Sequence, residues 1–307
     1  MDFENQFSRI YSNYDRYLVI PVALLAFAIL VLAANYATTG ELVAKGTDFT
    51  GGTEIVYSIQ GDFNPTRVEK AFSRAGRKDV KAVRQSSGNA TSLIVQVPPP
   101  SMNSTEAERV LADAGYRARV ESFRSISAAV SAEFFSQARL AFIMAFTIMS
   151  LVIFVAFKDI IPSLAVIFAA TGDIVFAAAG MSLVGIPLTL GSLAALLMLI
   201  GYSVDTDIVL STRVLKRTRG SLEERIWSSV KTGVTMSSGG IAGFTLLYTV
   251  AYLIAGPSEL TNIAGVMVIG LLADMPFTWF GNAIILKKYQ EGQIELFENM
   301  GEMMPWT

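Results

Sequence analysis

The stretch Leu188–Leu210, LTLGSLAALLMLIGYSVDTDIVL, decides the fold class. It is 23 residues long and almost wholly apolar until its last third. At about 1.5 Å per helical residue, such a segment crosses about 30 Å of hydrocarbon. Five further stretches share this length and character, near Tyr17–Tyr36, Arg139–Phe157, Pro162–Met181, Val234–Ala255 and Leu260–Leu286. The chain is therefore predicted to be an integral membrane protein, an α-helical bundle of six transmembrane helices.

The composition of the whole chain agrees with a lipid environment. Its 307 residues are 52% hydrophobic and 16% charged, and the mean hydropathy is +0.48. One soluble core would not hide so much apolar surface. The first apolar stretch follows a polar segment and is too long for the apolar region of a signal peptide, so we expect it to remain as an anchor.

The missing residue types narrow the chemistry. The chain has no cysteine and no histidine, which excludes disulfides, thiolate nucleophiles and imidazole metal ligands. Proton transfer would have to use carboxylates, lysine, tyrosine or water. The sequence also has no phosphate-binding loop, nucleophile elbow or dinucleotide fingerprint. The chain is therefore predicted not to be an enzyme and to need no metal and no cofactor.

Basic residues in the short loops predict the orientation. The hairpins around Gly185 and Gly256 have no Lys or Arg, whereas the loop 211–233 is strongly basic. By the positive-inside rule, this loop and both termini are predicted on the cytoplasmic side of the cell membrane. The loop can also be read as a nucleic-acid or lipid-headgroup patch, but we favour a role in topology and expect no nucleic-acid partner. Its basic residues are Arg213, Lys216, Arg217, Arg219, Arg225 and Lys231.

This pattern divides the chain into four predicted parts. Residues 1–37 form the cytoplasmic N-terminus and the first span, and residues 38–138 form an extracytoplasmic domain. Residues 139–286 hold the other five spans, and residues 287–307 form a cytoplasmic tail.

The extracytoplasmic segment has the pattern of a small α+β domain. Proline, glycine and capping residues bound two helices, Pro65–Ala75 and Ser104–Ala114. A turn at residues 87–89 joins two of the strands. The order βαββαβ predicts a ferredoxin-like domain, a four-stranded antiparallel sheet covered on one face by two helices. The four predicted strands are Thr53–Gln60, Asp79–Ser86, Thr91–Val97 and Arg117–Phe123.

Four acidic residues fall inside the predicted spans, where an ionised group costs at least about 2.5–3.5 kcal/mol at a helix centre. Asp173 lies near the middle of the third span and Asp274 about midway along the sixth. Asp205 and Asp207 lie toward the cytoplasmic end of the fourth. Because these two are about 200° apart on a helix, only one is expected to face the bundle interior.

Other polar residues lie at helical spacing, so that they form stripes along the faces of three spans. These stripes predict a buried hydrophilic path through the bundle. We interpret it as a proton or cation relay, with Lys231 as a cationic partner. The alternative is that the groups only join helices by hydrogen bonds worth about 0.6 kcal/mol each. Near the membrane face, snorkelling is an equal explanation for Asp205, Asp207 and Lys231. The three stripes are Ser203, Asp207 and Ser211; Asp274, Thr278 and Asn282; and Ser238, Thr245 and Thr249.

Gly239 and Gly243 form a GxxxG pattern inside the fifth span. Close packing between helices explains such a pattern. A flexible hinge is the alternative.

Two motifs carry a resemblance to a known family. Gly46–Thr53, GTDFTGGT, follows the first span, and its Gly51 and Gly52 indicate a tight backbone bend. Gly201–Asp207, GYSVDTD, ends the fourth span. With six spans and a domain after the first, the chain resembles the SecF family of protein-export membrane proteins, of archaeal type, within the resistance-nodulation-division superfamily. The residues that carry the resemblance are Gly46, Asp48, Phe49, Gly51, Gly52, Gly201, Tyr202, Ser203 and Thr206.

The resemblance implies an accessory subunit of the Sec translocase. Such proteins act with SecD to help unfolded secretory polypeptides leave the cytoplasm through SecYE-type channels, and the bacterial pair is thought to use the proton-motive force. The implied partners are SecD, the channel, the exported chain and the surrounding membrane lipids.

The chain departs from the bacterial pattern at the positions linked with proton coupling. Bacterial members have Asn-Asp-Thr where this chain has Asp205-Thr206-Asp207, so Thr206 replaces the central acid. Lys231 stands where the bacterial proteins have Arg, which keeps the charge but loses the planar fork. If this protein couples export to an ion gradient, Asp205, Asp207 or Asp274 must take over.

Two other functions remain as alternatives. One is half of a small-solute transporter of the same superfamily, completed by a second set of six spans. The other is a membrane-tethered chaperone or receptor, which gives no reason for four acids in the spans.

Overall fold

The computed structural model describes residues 16–59, 63–87 and 90–294. The two chain ends, for which a cytoplasmic position is predicted, lie largely outside these ranges, as do Gly88 and Asn89 of the predicted turn. In chain order the elements are α1 (Val19–Thr39), α2 (Thr47–Thr50), β1 (Gly52–Ile59), α3 (Pro65–Arg74), β2 (Lys81–Ser87), β3 (Ala90–Val97), α4 (Ser104–Asp113), β4 (Ala118–Ile126), α5 (Ala128–Phe157), α6 (Ile160–Val184), α7 (Leu190–Lys216), α8 (Leu222–Ala255), α9 (Glu259–Pro276), a π-helical segment (Phe277–Asn282) and α10 (Ala283–Gln290).

The prediction of six spans is confirmed. Helices α1, α5, α6, α7 and α8 are each long and apolar enough to cross a membrane, and the sixth span is the continuous run from α9 through α10. They are called the first to sixth spans in chain order. The third, fourth and sixth spans are largely buried inside the bundle, whereas the second and fifth are mostly exposed at its periphery.

Two spans begin earlier than their apolar stretches. The second span starts at Ala128, where the Ser127 hydroxyl caps the helix by accepting from the Val130 N–H at 3.3 Å. Its first eleven residues therefore belong to the segment 38–138 that was predicted as a separate domain. The fifth span starts at Leu222, inside the basic loop, with a capping box between Ser221 and Glu224. Hydropathy misses both starts because polar residues interrupt the first turns of the second span and dominate those of the fifth.

The segment between the first two spans folds around a four-stranded antiparallel sheet. The strand order is β2-β3-β1-β4, and each neighbouring pair is antiparallel. The two helices follow β1 and β3, so the elements run in the order βαββαβ. Apolar side chains from the sheet and both helices form one core, including Ile55, Tyr57, Leu93, Val95, Val68, Phe72 and Leu111.

Glycines let the central spans approach one another closely. A Cβ placed on Gly172 of the third span would overlap the ring of Phe277, and one on Gly270 of the sixth span would overlap the Leu199 side chain. The sixth span changes to a π-helical segment directly after Pro276, which has no N–H for the helical ladder. Such wide turns are frequent at functional sites.

Candidate functional site

Three carboxylates meet in the centre of the bundle. Asp173 of the third span, Asp207 of the fourth and Asp274 of the sixth are all fully buried. Each comes from one of the three spans that form the bundle centre. Asp207 is thus the member of the predicted pair that faces inward.

Ser203 binds one of these acids and lies beside a second. Its hydroxyl donates a hydrogen bond to Oδ2 of Asp173, and it also lies beside Asp274. Ser203 is one helical turn before Asp207 on the same face of the fourth span, so the predicted stripe is buried as a unit with Ser211.

Thr278 lies between Asp207 and Asp274. Its Oγ1 is 3.1 Å from Oδ1 of Asp207 and 3.1 Å from Oδ1 of Asp274. A hydroxyl has one proton to donate, but its oxygen can also accept. Both contacts can be good hydrogen bonds at once only if one of the two carboxyls carries a proton and donates it to Thr278. The arrangement is therefore suited to hold and pass one proton between Asp207 and Asp274.

Two more side chains complete the network. Asn282 Nδ2 donates to Asp207 Oδ1 at 2.7 Å, and Ser237 Oγ of the fifth span donates to Asp274 Oδ2 at 3.0 Å. Four buried oxygens in this region find no hydrogen-bond partner among the described residues: Asp173 Oδ1, Asp207 Oδ2, Ser211 Oγ and Asn282 Oδ1. We call the set Asp173, Ser203, Asp207, Ser237, Asp274, Thr278 and Asn282 the carboxyl network.

Two predicted relay residues lie elsewhere. Asp205 and Lys231 are exposed at the surface of the chain. The Lys231 ammonium lies 5.5 Å from the ring centre of Trp227, and within the described part of the chain no carboxylate forms an ion pair with it. The structure therefore does not bring Lys231 to the buried acids.

The polar stripe predicted on the fifth span is off by one residue. Ser238, Thr245 and Thr249 are exposed, and the neighbouring Ser237 faces the network instead. The sequence pattern could not show this, because the fifth span has small and polar residues on more than one face.

The glycines of the GxxxG pattern pack against no other helix in the described part of the chain. Gly239 and Gly243 are exposed, and a Cβ added to either would meet nothing within 4 Å in the described structure. Gly201 and Tyr202 of the fourth span are exposed as well, and Tyr202 contacts Phe244 of the fifth span edge to face at 6.0 Å. We call this surface the α7–α8 face; it consists of Gly201, Tyr202, Asp205, Lys231, Ser238, Gly239 and Gly243.

Thr206 replaces the central acid of the bacterial pattern, and its side chain points neither to the carboxyl network nor to the surface. It is buried. A Cβ placed on Gly233 of the fifth span would lie only 2.7 Å from the Thr206 methyl group. Thr206 therefore acts in the packing of the fourth span against the fifth.

The motif Gly46–Gly52 ties the sheet to the bundle; we call this segment the clamp. Asp48 is buried, and it accepts from the backbone N–H of Leu190 at 3.0 Å and from Arg124 of β4 at 3.2 Å. Gly46 N donates to the Leu188 carbonyl at 2.8 Å. Phe49 meets Phe135 of the second span edge to face at 5.6 Å.

The backbone conformation explains why two glycines stand next to each other in the clamp. Gly51 and Gly52 have φ angles of +73° and +114°. Residues with a Cβ rarely adopt such angles. A Cβ at Gly51 would also lie 2.9 Å from the backbone of Ala128. The bend predicted from the sequence is thus the point where β1 starts beside the second span.

Sequence reasoning missed three participants in these sites. Ser237 and Arg124 had no signal beyond their polarity, because each gains its role from a partner far away in the chain. Glu259 accepts a hydrogen bond from Thr189 at 2.8 Å, which links the start of the sixth span to that of the fourth. Within the described residues, no group of three or more acidic side chains is arranged to hold a metal ion.

Comparison with known proteins gives a consistent result. Residues 106–292 match the family model described as protein export membrane protein SecD/SecF, C-terminal. The chain is 37% identical to a SecF protein of Methanothermobacter thermautotrophicus over 92% of this chain and 95% of the relative. It is 38% identical to a SecF protein of Haloferax volcanii, covering 91% and 95%.

A solved structure shares the fold. The crystal structure of SecDF, a translocon-associated membrane protein from Thermus thermophilus, superposes with a TM-score of 0.73 at 19% identity. The match covers 95% of this chain but only 39% of the SecDF chain.

Proposed function

Because this chain belongs to the SecD/SecF family of protein-export membrane proteins, we propose that it is an accessory subunit of the Sec translocase. It would act with a SecD protein to promote the export of unfolded polypeptides across the cytoplasmic membrane. The observation that carries this proposal is the similarity to SecF proteins along more than nine tenths of both chains.

We propose that SecD covers the α7–α8 face. The face combines an exposed acid, an exposed lysine and two glycines on which an added Cβ would meet no described atom within 4 Å, all on helices long enough to span the membrane. Charged groups facing lipid are costly, and small residues allow helices to approach closely. A second helix bundle packed on this face would keep the charged groups away from lipid and would fit closely against the glycines. The SecDF chain, of which this fold matches 39%, supports a partner of at least similar size.

We also propose that the α+β domain is ferredoxin-like and lies outside the cytoplasm. The order βαββαβ and the sheet order β2-β3-β1-β4 support the fold. The basic loop around Arg217, at the opposite ends of the spans from the sheet, supports the orientation. In that position the domain can contact the exported chain near a SecYE-type channel.

The carboxyl network is the proposed ion relay. Thr278 can pass a proton between Asp207 and Asp274, and Ser203, which donates to Asp173, lies beside Asp274. Protonation changes the charge of a network that joins the third, fourth and sixth spans, so it can shift their packing. Asp207 and Asp274 would then take the role that the central acid plays in bacterial relatives. Asp205 would serve the contact with SecD instead.

The clamp offers a route from the relay to the outer domain. The fourth span carries Asp207 in its second half, and at its first residue the N–H of Leu190 is bound by Asp48. Arg124 of β4 binds the same carboxylate. A shift of the fourth span would therefore be transmitted directly to the sheet.

Co-purification from native membranes tests this function. The tagged chain should recover SecD and the channel subunits in detergent that preserves complexes. Recovery of neither would refute the accessory role and favour the half-transporter, which no feature of the described structure otherwise supports.

A further inference from the structure

A large apolar cavity lies beside the clamp. Its volume is about 520 Å³, within the range of about 300–1,000 Å³ that is typical of ligand pockets. Four of the six spans and the clamp contribute to its walls. The principal lining residues are Leu32, Phe49, Phe135, Phe142, Ile174 and Leu193.

The cavity opens sideways, toward the surroundings of the spans. Two residues that line it, Leu42 and Ile143, are 56% and 55% exposed. Leu140, next to this opening on the second span, is 59% exposed. For a chain with six spans, a wall of exposed aliphatic side chains at this depth faces lipid.

Two cations line the same cavity, Lys45 and Arg139. Lys45 is already engaged, because its ammonium pairs with Glu41 at 3.4 Å and lies 4.7 Å from the ring centre of Phe135. Arg139 is exposed, and among the described residues no carboxylate forms an ion pair with it.

The depth of Arg139 identifies the expected counter-ion. From Arg139 to Phe157 the second span rises about 27 Å, which is close to the thickness of the hydrocarbon layer. Arg139 therefore lies near the boundary between hydrocarbon and headgroups, on the side of the α+β domain. The phosphate of a lipid is the anion present at that level, and a guanidinium binds it with two parallel hydrogen bonds.

We propose that this cavity binds one anionic phospholipid of the leaflet on the side of the α+β domain. A hydrocarbon chain enters between the first and second spans, and the phosphate binds Arg139. An apolar segment of an exported polypeptide would fill the same walls but would leave Arg139 without an anion. Because Phe49 and Phe135 belong to the wall and to the clamp contact, the bound lipid also stabilises the clamp.

Native mass spectrometry of the full-length protein tests the proposal. The protein is purified in detergent and mixed with phosphatidylglycerol or with diacylglycerol, which has the same hydrocarbon chains but no phosphate, as probes. We expect the wild type to retain phosphatidylglycerol about tenfold more strongly, the effect of one charge-assisted contact of about 1.4 kcal/mol. Ala178→Phe, which fills the cavity, should lower the retention of both lipids by about tenfold or more.

Two further variants keep the proposal falsifiable. Leu151→Phe lies on the second span at an exposed position outside the cavity and should behave like the wild type. Arg139→Gln, at an exposed position, should fold normally and retain both lipids equally. Equal retention by the Ala178→Phe and Leu151→Phe proteins would overturn the site. An unchanged preference in Arg139→Gln would overturn the role of the phosphate. Cross-linking of a stalled secretory chain to the cavity, with no retained lipid, would assign the site to polypeptide and overturn the proposal.

Discussion

Asp48 accepts a hydrogen bond from the backbone N–H of Leu190, with 3.0 Å between Oδ2 and N. Leu190 is the first residue of the fourth span, and the first N–H groups of a helix have no partner inside the helix. A residue next to the first strand thus caps the helix that carries Asp207. The relationship joins the two halves of the molecule, the sheet and the bundle, through one buried carboxylate.

Asp48→Asn should destabilise the protein. The amide oxygen of asparagine can still accept from the Leu190 N–H, but the change replaces a charge-assisted hydrogen bond at a helix N-terminus, worth about 1.5–3 kcal/mol, with a neutral one worth about 0.5–1.5 kcal/mol. Arg124→Gln is the matched control, because it removes the other partner of Asp48 at a side chain that is 47% exposed, where an ion pair contributes about 1 kcal/mol or less. Thermal unfolding in detergent measures both. An equal or smaller fall in melting temperature for Asp48→Asn would contradict this account of the clamp.

Substitution of two glycines should have different effects on the stability of the isolated chain. Gly172→Ala should lower the melting temperature, because the added methyl group would overlap the ring of Phe277. Gly243→Leu should leave the melting temperature of the isolated chain unchanged, since nothing lies within 4 Å of the added Cβ. It should instead reduce the amount of SecD that co-purifies. Normal recovery of SecD with Gly243→Leu would show that the partner binds another surface.

The orientation can be tested with single cysteines, because the chain has none of its own. Ser73→Cys on α3 and Thr218→Cys in the basic loop both lie at exposed positions. A membrane-impermeant maleimide should label Ser73→Cys in intact cells and Thr218→Cys only after lysis. The reverse pattern would invert the proposed topology.

Thr278→Val separates a relay from a purely structural network. The substitution keeps the shape of the side chain but removes the hydroxyl between Asp207 and Asp274. We expect export of a secreted reporter to fall by about tenfold or more, as when a positioned proton-transfer group is lost. Thr278→Ser keeps the hydroxyl and should retain most of the export. If both variants export at the wild-type rate per folded molecule, the hydroxyl serves only to join helices.

The sequence predicts the architecture well, for physical reasons that these residues illustrate. Spans follow from apolar length, and the strands and helices between Gly52 and Ile126 follow from alternation, caps and turns. That only one of Asp205 and Asp207 faces inward follows from helical geometry, but the structure was needed to show that it is Asp207. These features depend on residues close together in the chain.

Contacts between distant residues were harder to predict. Nothing in the local pattern distinguishes Ser237 from Ser238, yet only Ser237 reaches Asp274. Lys231 was predicted to pair with the buried acids, but it lies on the outside, because the face of a helix that turns inward depends on its neighbours. The GxxxG pattern was likewise expected to be a packing site, but in residues 16–59, 63–87 and 90–294 nothing lies within 4 Å of a Cβ added to either glycine.

The most direct test of the central claim is the export rate of a secreted reporter in cells that carry Asp173→Asn, Asp274→Asn or both. SecD co-purification in the same cells serves as the control for assembly. If the carboxyl network relays a proton in series, each single variant should slow export while SecD still binds. The double variant should be no slower than the more severe single one, because the effects of residues in one network are not additive. Wild-type export rates in all three would contradict the account.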